Sequence, residues 1–371
     1  MNRLLILALL ALPCWGAYGN GYTYRRTVTI DHTKVPNTDQ ANFPVLFSGT
    51  YAYLAHTTHS GLVTDLNGYD IILTSDAVGS TKLDHEIESY NHETGVCVFW
   101  VRVPTVATAS DTVIYLFYGN SSVSTSQEAV TGAWNSNYVG VWHVPDGTTL
   151  TTLDSTGNNS DFTNNGTVTA AAGEIDGGTG TFAAYKRLYY AGGAQFNSSD
   201  WTAEAWVYRT GTPPTNYGGT ILGHQQTGAT AGHWVFCINP TNYLKIEIPW
   251  VKGDVIVSTA TVPQDAWTHV VGTKSGTTYS LYINGASAAT PVTDASSPTI
   301  SGYVYAGGQQ FNETNWFFPG TLDELRVSDS ARSAGWVTTS YNNHSSPSTF
   351  YAVGSQEEFS AAARRRVVIV Q

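Results

Sequence analysis

The chain has 371 residues, a formal net charge of −11, 12% charged and 12% aromatic residues, and 36 glycines. The acidic balance excludes a partner held through a nucleic-acid backbone, because such binding needs clustered Lys and Arg to release counterions; glycans, neutral polymers and proteins remain. At roughly 150 residues per domain the length predicts two domains, and scarce charge with abundant Gly and aromatics suits short strands joined by tight turns.

Arg3, the apolar run Leu4 to Leu12, Pro13 and the small residues after it have the order of a secretory signal peptide, here residues 1–19. No later stretch approaches the ~20 apolar residues of a membrane helix, so the mature protein is expected outside the cytoplasm, secreted or at the cell surface. Cys97 and Cys237 each lie inside a strand-like run and are expected as buried free thiols, since sandwiches of this size have sufficient core without a disulfide.

From Tyr22 onward period-two segments recur, among them Thr27 to Ile30, Tyr69 to Leu73, Val96 to Val103 and Thr112 to Phe117, punctuated by Asn67-Gly68 and Gly119-Asn120. The alternation predicts a β-sandwich over residues 20–128, closed by the Ser/Thr-rich linker Ser121 to Ser126. Tyr24-Arg25-Arg26, Phe43-Pro44-Val45, Asp70-Ile71, Leu83 to Glu88 and Tyr115 to Asn120 give this block a resemblance to the bacterial domain of unknown function 2341. The resemblance implies an exported multidomain surface protein with a lectin-like sandwich beside it, and no activity of its own.

A second block, residues 129–358, carries Leu153 to Asn158, Trp201 to Val207, Trp267 to Val270, Leu281 to Gly285 and Gly320 to Val327. Tyr279 to Ile283 alternates into Asn284-Gly285, a strong hairpin signal, and Trp201, Ala203, Ala205 and Val207 share one strand face. Together these motifs resemble the laminin-G-like branch of the concanavalin A-like lectin/glucanase jelly rolls. The fold class is therefore all-β, two sandwich domains. Residues 359–371 read as a flexible tail, whose Arg364 to Arg366 and β-prone Val367 to Val370 offer a route to self-association by strand addition.

Jelly rolls of this type include glycoside hydrolases, whose laminarinase-like branch needs Glu-x-Asp-x-x-Glu to line one strand face with carboxylates. The nearest match, Glu174 to Thr179, ends in a hydroxyl that cannot protonate a leaving group, so no enzyme activity is expected. Glu86 and Glu88, two apart on a strand, read as a solvated strand face, and His56 with His59 as surface histidines.

For a cation, Asp154, Asn158 and Asp323 are the candidate ligands: the loop Asp154 to Asp161 is oxygen-rich and bent by glycine, and Asp323 shares alternation with Leu325 and Val327 and so points coreward. Structural calcium is the cofactor this would imply, and an Asx-turn with a separately hydrogen-bonded Asp is the alternative. For a ligand, Trp142, Trp206 and Trp267 belong to strands and to the core. Trp316, Tyr217 and Trp250 are punctuated by turn residues, with Asn312, Glu313 and Asn315 supplying polar groups beside Trp316. The expected function is an exported, non-catalytic carbohydrate-binding or adhesion protein, its partner a glycan or surface polymer. The alternative is a structural component of a surface layer, appendage or virus-like particle.

Overall fold

The computed structural model of the chain describes residues 18, 20–145, 149–214, 218–225, 234–249, 251–296, 302–309 and 314–359. The expected signal peptide, Tyr18 excepted, and the tail beyond Phe359 lie outside them. Every strand pairing listed below is antiparallel, as alternating sequences separated by short turns require.

The first sandwich packs one sheet of Tyr351–Val353, Tyr24–Ile30, Thr112–Tyr118 and Ile71–Thr74, in that order, against another of Gln40–Thr50, Val96–Val106 and His85–Asn91. Val28, Ile30, Phe43, Val45, Leu73, Phe99, Val101 and Leu116 fill the space between them. Residues 346–358, expected in the second sandwich, belong to the first, and the helix before them bridges the two, Thr338 donating to Gly285 O of the second. Tyr351–Val353 and Glu357–Glu358 both pair with Tyr24–Ile30, and the helix Ala334–Ser345 lies along Gln40–Thr50.

That helix closes an open strand edge. Asn343 accepts from the Leu46 N–H at 2.6 Å and donates to the Leu46 C=O at 3.0 Å, and the Tyr351 hydroxyl does the same for Ser48 at 2.9 and 3.0 Å. Two side chains thus stand in for a missing neighbouring strand, whose absence would leave backbone groups unpaired.

The second sandwich has a sheet running Gly253–Thr261, Tyr243–Ile248, Trp234–Ile238, Gly219–Gln225, Tyr303–Ala306, Arg187–Ala191 and Thr163–Asn165. Opposite it are Ala286–Ser287, Thr278–Ile283, Trp267–Ser275, Trp201–Arg209, Gly320–Ser328 and Tyr138–Trp142. Trp201, Ala203, Ala205 and Val207 point inward, and Trp201 stacks on Trp234 at 4.4 Å. Cys97 and Cys237 are free and buried.

The outer face of the second of these sheets is not solvated. Trp206, Tyr138 and Val141 join the first sandwich's core cluster, so the two sandwiches share one continuous interior. Of the two outer faces of the second sandwich, the one on the sheet running from Gly253–Thr261 to Thr163–Asn165, called the seven-stranded sheet below, lies away from the first sandwich's core cluster.

Candidate functional site

On the seven-stranded sheet the core-facing residues are Leu188, Leu222, Phe236, Ile246 and Val304, and alternation sends their neighbours outward. Tyr189 pairs with Tyr305 and Gln225 with Tyr303, so these four side chains share the outer face. The three tyrosine rings form a cluster with centroids 5.8 to 6.3 Å apart, and the Arg187 guanidinium lies 5.8 Å from the Tyr189 ring. Beside Tyr305 the sheet carries Gly223, where an added Cβ would meet nothing closer than 3.4 Å, so the floor between Tyr305 and Val235 is low.

Two amides on this face have unmet hydrogen bonds. Both polar atoms of the Gln225 side chain lack a partner although the residue is only 2% exposed, and Gln309, which donates to Thr220 at 3.1 Å, leaves its oxygen unpaired. Buried amides without partners are rare and costly, and they are satisfied by water or by a ligand. Further along, Lys245 joins Glu247 at 2.6 Å and Asp254 at 2.7 Å.

Trp316 differs from its expected place. It packs onto Val235 and Cys237 on the outer side of the sheet and is only 3% exposed, so it is part of a small apolar cluster and not a protruding anchor. Asn315 is half-buried beside it. Tyr217, Trp250, Asn312 and Glu313 lie outside the described residues.

The proposed cation ligands do not converge. The Asp154 carboxylate accepts from the N–H groups of Val141, Thr156 and Ser160 and from the Thr156 hydroxyl, at 2.8 to 3.0 Å, and so closes its loop without an ion. Asn158 donates its amide to Val139 O and Thr156 Oγ1. Asp323 accepts from the amides of Glu174 and Ile175, both at 2.9 Å. Its coreward expectation fails because Glu324, at φ +51°, forms a bulge: Leu322, Leu325 and Val327 face the core, which leaves Asp323 on the other side. Asp154→Ala should cost about 1–2 kcal/mol for the lost turn bonds, to the same extent in chelator and in calcium. A loss confined to calcium-containing buffer in a thermal melt would restore the cation reading.

Between the sandwiches lies a buried polar network that sequence reasoning missed. Glu86 and Glu88 are not on a solvated face: their side chains are 10% and 1% exposed. His143 faces Glu324 at 2.7 Å, Glu86 at 3.3 Å and Glu88 at 3.4 Å. Trp134 and Ser155 donate to Glu86, and Trp100 donates to Glu88. Arg326 binds Glu324 and lies 4.3 Å from the Trp100 ring, and Glu204 meets His269 at 2.8 Å.

Burial opposes a charge on His143, but Glu324, Glu88 and Glu86 together hold its pKa well above the usual imidazole value. Burial, reinforced by Glu324, pushes Glu88 well above the carboxylate range, whereas the His143 charge and the Ser155 and Trp134 donors overcome burial and lower Glu86. Burial and the Glu324 charge raise Asp323 likewise. Two buried trios, Glu88–His143–Glu324 and Glu204–His269–His344, have metal-like spacing within 4.8 Å. A protein cation already serves each: the His143 imidazolium in the first, and in the second Arg326, whose Nη1 is 3.4 Å from His344 and 3.9 Å from Glu204. The carboxylates suit glycoside chemistry by type, but side chains this buried between two sheets cannot flank a glycosidic bond.

The fold is a pair of β-sandwiches, the second of them concanavalin A-like. Residues 67–156 match the domain of unknown function DUF2341, and residues 183–338 match the concanavalin A-like lectin/glucanases superfamily, so the chain carries these two family domains in that order. The first match runs past the expected boundary at 128 and takes in Glu86, Glu88, Trp100, Trp134, His143 and Ser155, the whole of the network's first half.

No curated protein matches the chain. Similar solved structures include domain 4 of AbnA, a GH43 extracellular arabinanase from Geobacillus stearothermophilus, in complex with arabinotriose, at 18% identity and TM-score 0.45, covering 54% of this chain and 97% of that one. The binding domain of paraclostridial mosquitocidal protein 1 follows at 15% identity and TM-score 0.44, over 56% and 52%. A Trypanosoma rangeli sialidase in complex with 2,3-difluorosialic acid matches at 14% identity and TM-score 0.40, over 69% of this chain and 44% of that one. This chain thus spans about half of the mosquitocidal fragment and less than half of the sialidase. No helix among the described residues is long and apolar enough to cross a membrane.

Proposed function

We propose that this is an exported, non-catalytic carbohydrate-binding protein that meets its glycan on the outer face of the seven-stranded sheet. The observation that carries this reading is the pair of half-buried rings Tyr189 and Tyr303, packed beside the buried Tyr305 on this face. Flat, partly exposed rings cover the apolar face of a sugar at small entropic cost. The lectin half of the superfamily description is favoured over the glucanase half because the acid pairs are sealed in the junction.

Screening the chain without residues 1–19 against a panel of polysaccharides should return a glycan whose affinity falls at least about tenfold in Tyr303→Ala, and less in Gln225→Ala, with the melting temperature little changed. Undiminished affinity in a folded Tyr189→Ala/Tyr303→Ala double variant would remove the site from this face. Turnover of the polymer would overturn the non-catalytic reading.

A further inference from the structure

A second recess lies elsewhere, at the rim of the junction. It is a cleft of about 500 Å³ between the strand edge at Asn42, Arg102 of the neighbouring strand, the linker segment Gly132 to Asn137, and Arg332 beyond the strand Gly320–Ser328. That volume falls in the range of small-ligand pockets. In a chain of net charge −11, two arginines and no carboxylate line it.

Arg332 is held in place before any ligand arrives. Its Nε donates to Ser328 Oγ at 3.2 Å and its Nη2 to Asn135 Oδ1 at 3.0 Å, while the guanidinium stacks 4.4 Å from the Tyr138 ring and 4.2 Å from the Trp336 ring. Among the described residues no carboxylate forms a direct ion pair with it; the Glu204 and Asp329 charges act on it only from farther off, which leaves the guanidinium's charge without a contacting partner at the cleft. Arg102, by contrast, binds Asp84 and reaches Asn42 Oδ1 at 3.4 Å.

The cleft also has donors to spare. Asn135 is used up, donating to Asn42 O at 3.1 Å and accepting from Arg332. Asn42 Nδ2, the Asn137 side-chain amide and the Ser136 hydroxyl make no hydrogen bond among the described residues, and all three residues are exposed. A guanidinium fork held by stacking recognises a planar or tetrahedral anion, and the amides and hydroxyls around it match a ring bearing several hydroxyl groups.

We propose that this cleft binds an anionic sugar unit of a glycan, one bearing a carboxylate or a sulfate, with Arg332 as its counter-ion and Asn42 and Asn137 bonding its hydroxyls. The saccharide part of this proposal rests on the carbohydrate-binding reading above; the site does not rest on the tyrosine face. Its acidic partner would join both sandwiches, since the cleft exists only where they meet.

The test titrates the full mature chain with a galacturonate trisaccharide, a sulfated galactose trisaccharide and neutral galactotriose, by calorimetry. One or both acidic probes should bind at least about tenfold more tightly than the neutral one, with affinity falling as salt is raised. Which of the two binds distinguishes carboxylate from sulfate. Asn137→Asp and Asn42→Asp place a like charge at the exposed rim without touching the Arg332 anchors, and each should weaken acidic binding about tenfold. Tyr303→Ala should leave it unchanged.

Acidic probes that bind no better than the neutral one, or that are insensitive to both Asp substitutions, overturn the proposal. If neutral glycans still bind through Tyr303, only this inference falls. If no glycan of either kind binds, the functional reading falls with it.

Discussion

His143→Ala should lower stability by about 3–5 kcal/mol, because it removes the one cation that faces Glu86, Glu88 and Glu324 together and leaves the buried Glu86 carboxylate with neutral donors alone, Arg326 still serving Glu324. In a domain of this size that corresponds to a fall of roughly 10 °C in melting temperature. Glu88→Gln should cost far less, since burial already favours the neutral acid at that position. A change under about 1 kcal/mol for His143→Ala, by denaturant titration, would mean that the network contributes no net stability.

The same network sets a pH dependence whose direction follows from the shifts. Folding raises the His143 pKa, so the folded protein holds that proton more tightly than the unfolded chain. Its contribution is complete below the ordinary imidazole pKa of about 6.5 and disappears as pH rises through the raised value. Glu88 and Asp323, also raised, lose stability in the same direction, beginning above the ordinary carboxyl range. Glu86 is lowered, so its contribution is present above that range and is lost on acidification. Wild-type protein should therefore melt lower as pH rises above neutrality, and that slope should flatten in His143→Ala.

The second large effect is expected at Asn343→Ala. The substitution leaves the buried N–H and C=O of Leu46 unpaired, at about 1–3 kcal/mol for each group, or roughly 2–6 kcal/mol in all. Amide hydrogen exchange at Leu46 should accelerate more than exchange in the second sandwich. Unchanged protection at Leu46 would show that another group covers the strand Gln40–Thr50. Asn343→Asp should not rescue, because it keeps the acceptor, loses the donor and adds a buried charge.

The strands and the two families were legible in the sequence because alternation and turn residues are local signals. Burial of the polar strand faces was not. Glu86 and Glu88 alternate with apolar residues whether their side meets water or another polar sheet, and the groups that cover them, His143 and Glu324, lie 55 or more residues away. The strand Tyr303–Ala306, with its outward tyrosines, was not singled out at all, because alternation does not say which side stays open. Trp316 was surrounded by turn residues, which suggested exposure, but the Val235 and Cys237 that bury it belong to a distant strand. At Asp323 the alternation itself misled, since one bulged residue at Glu324 reverses the phase and nothing in the neighbouring sequence marks it.

The return of residues 346–358 to the first sandwich also carries a consequence in time. A ribosome delivers the chain from its N-terminus, and the strands from Tyr24 to Tyr118 emerge long before Asn343 and Tyr351 do. Through that interval the edges of Tyr24–Ile30 and Gln40–Thr50 are open templates for pairing with another chain. The half that is made first is thus the half that is finished last. Translocation of an unfolded chain would remove the hazard by letting both edges and their covers reach the far side of the membrane before either folds.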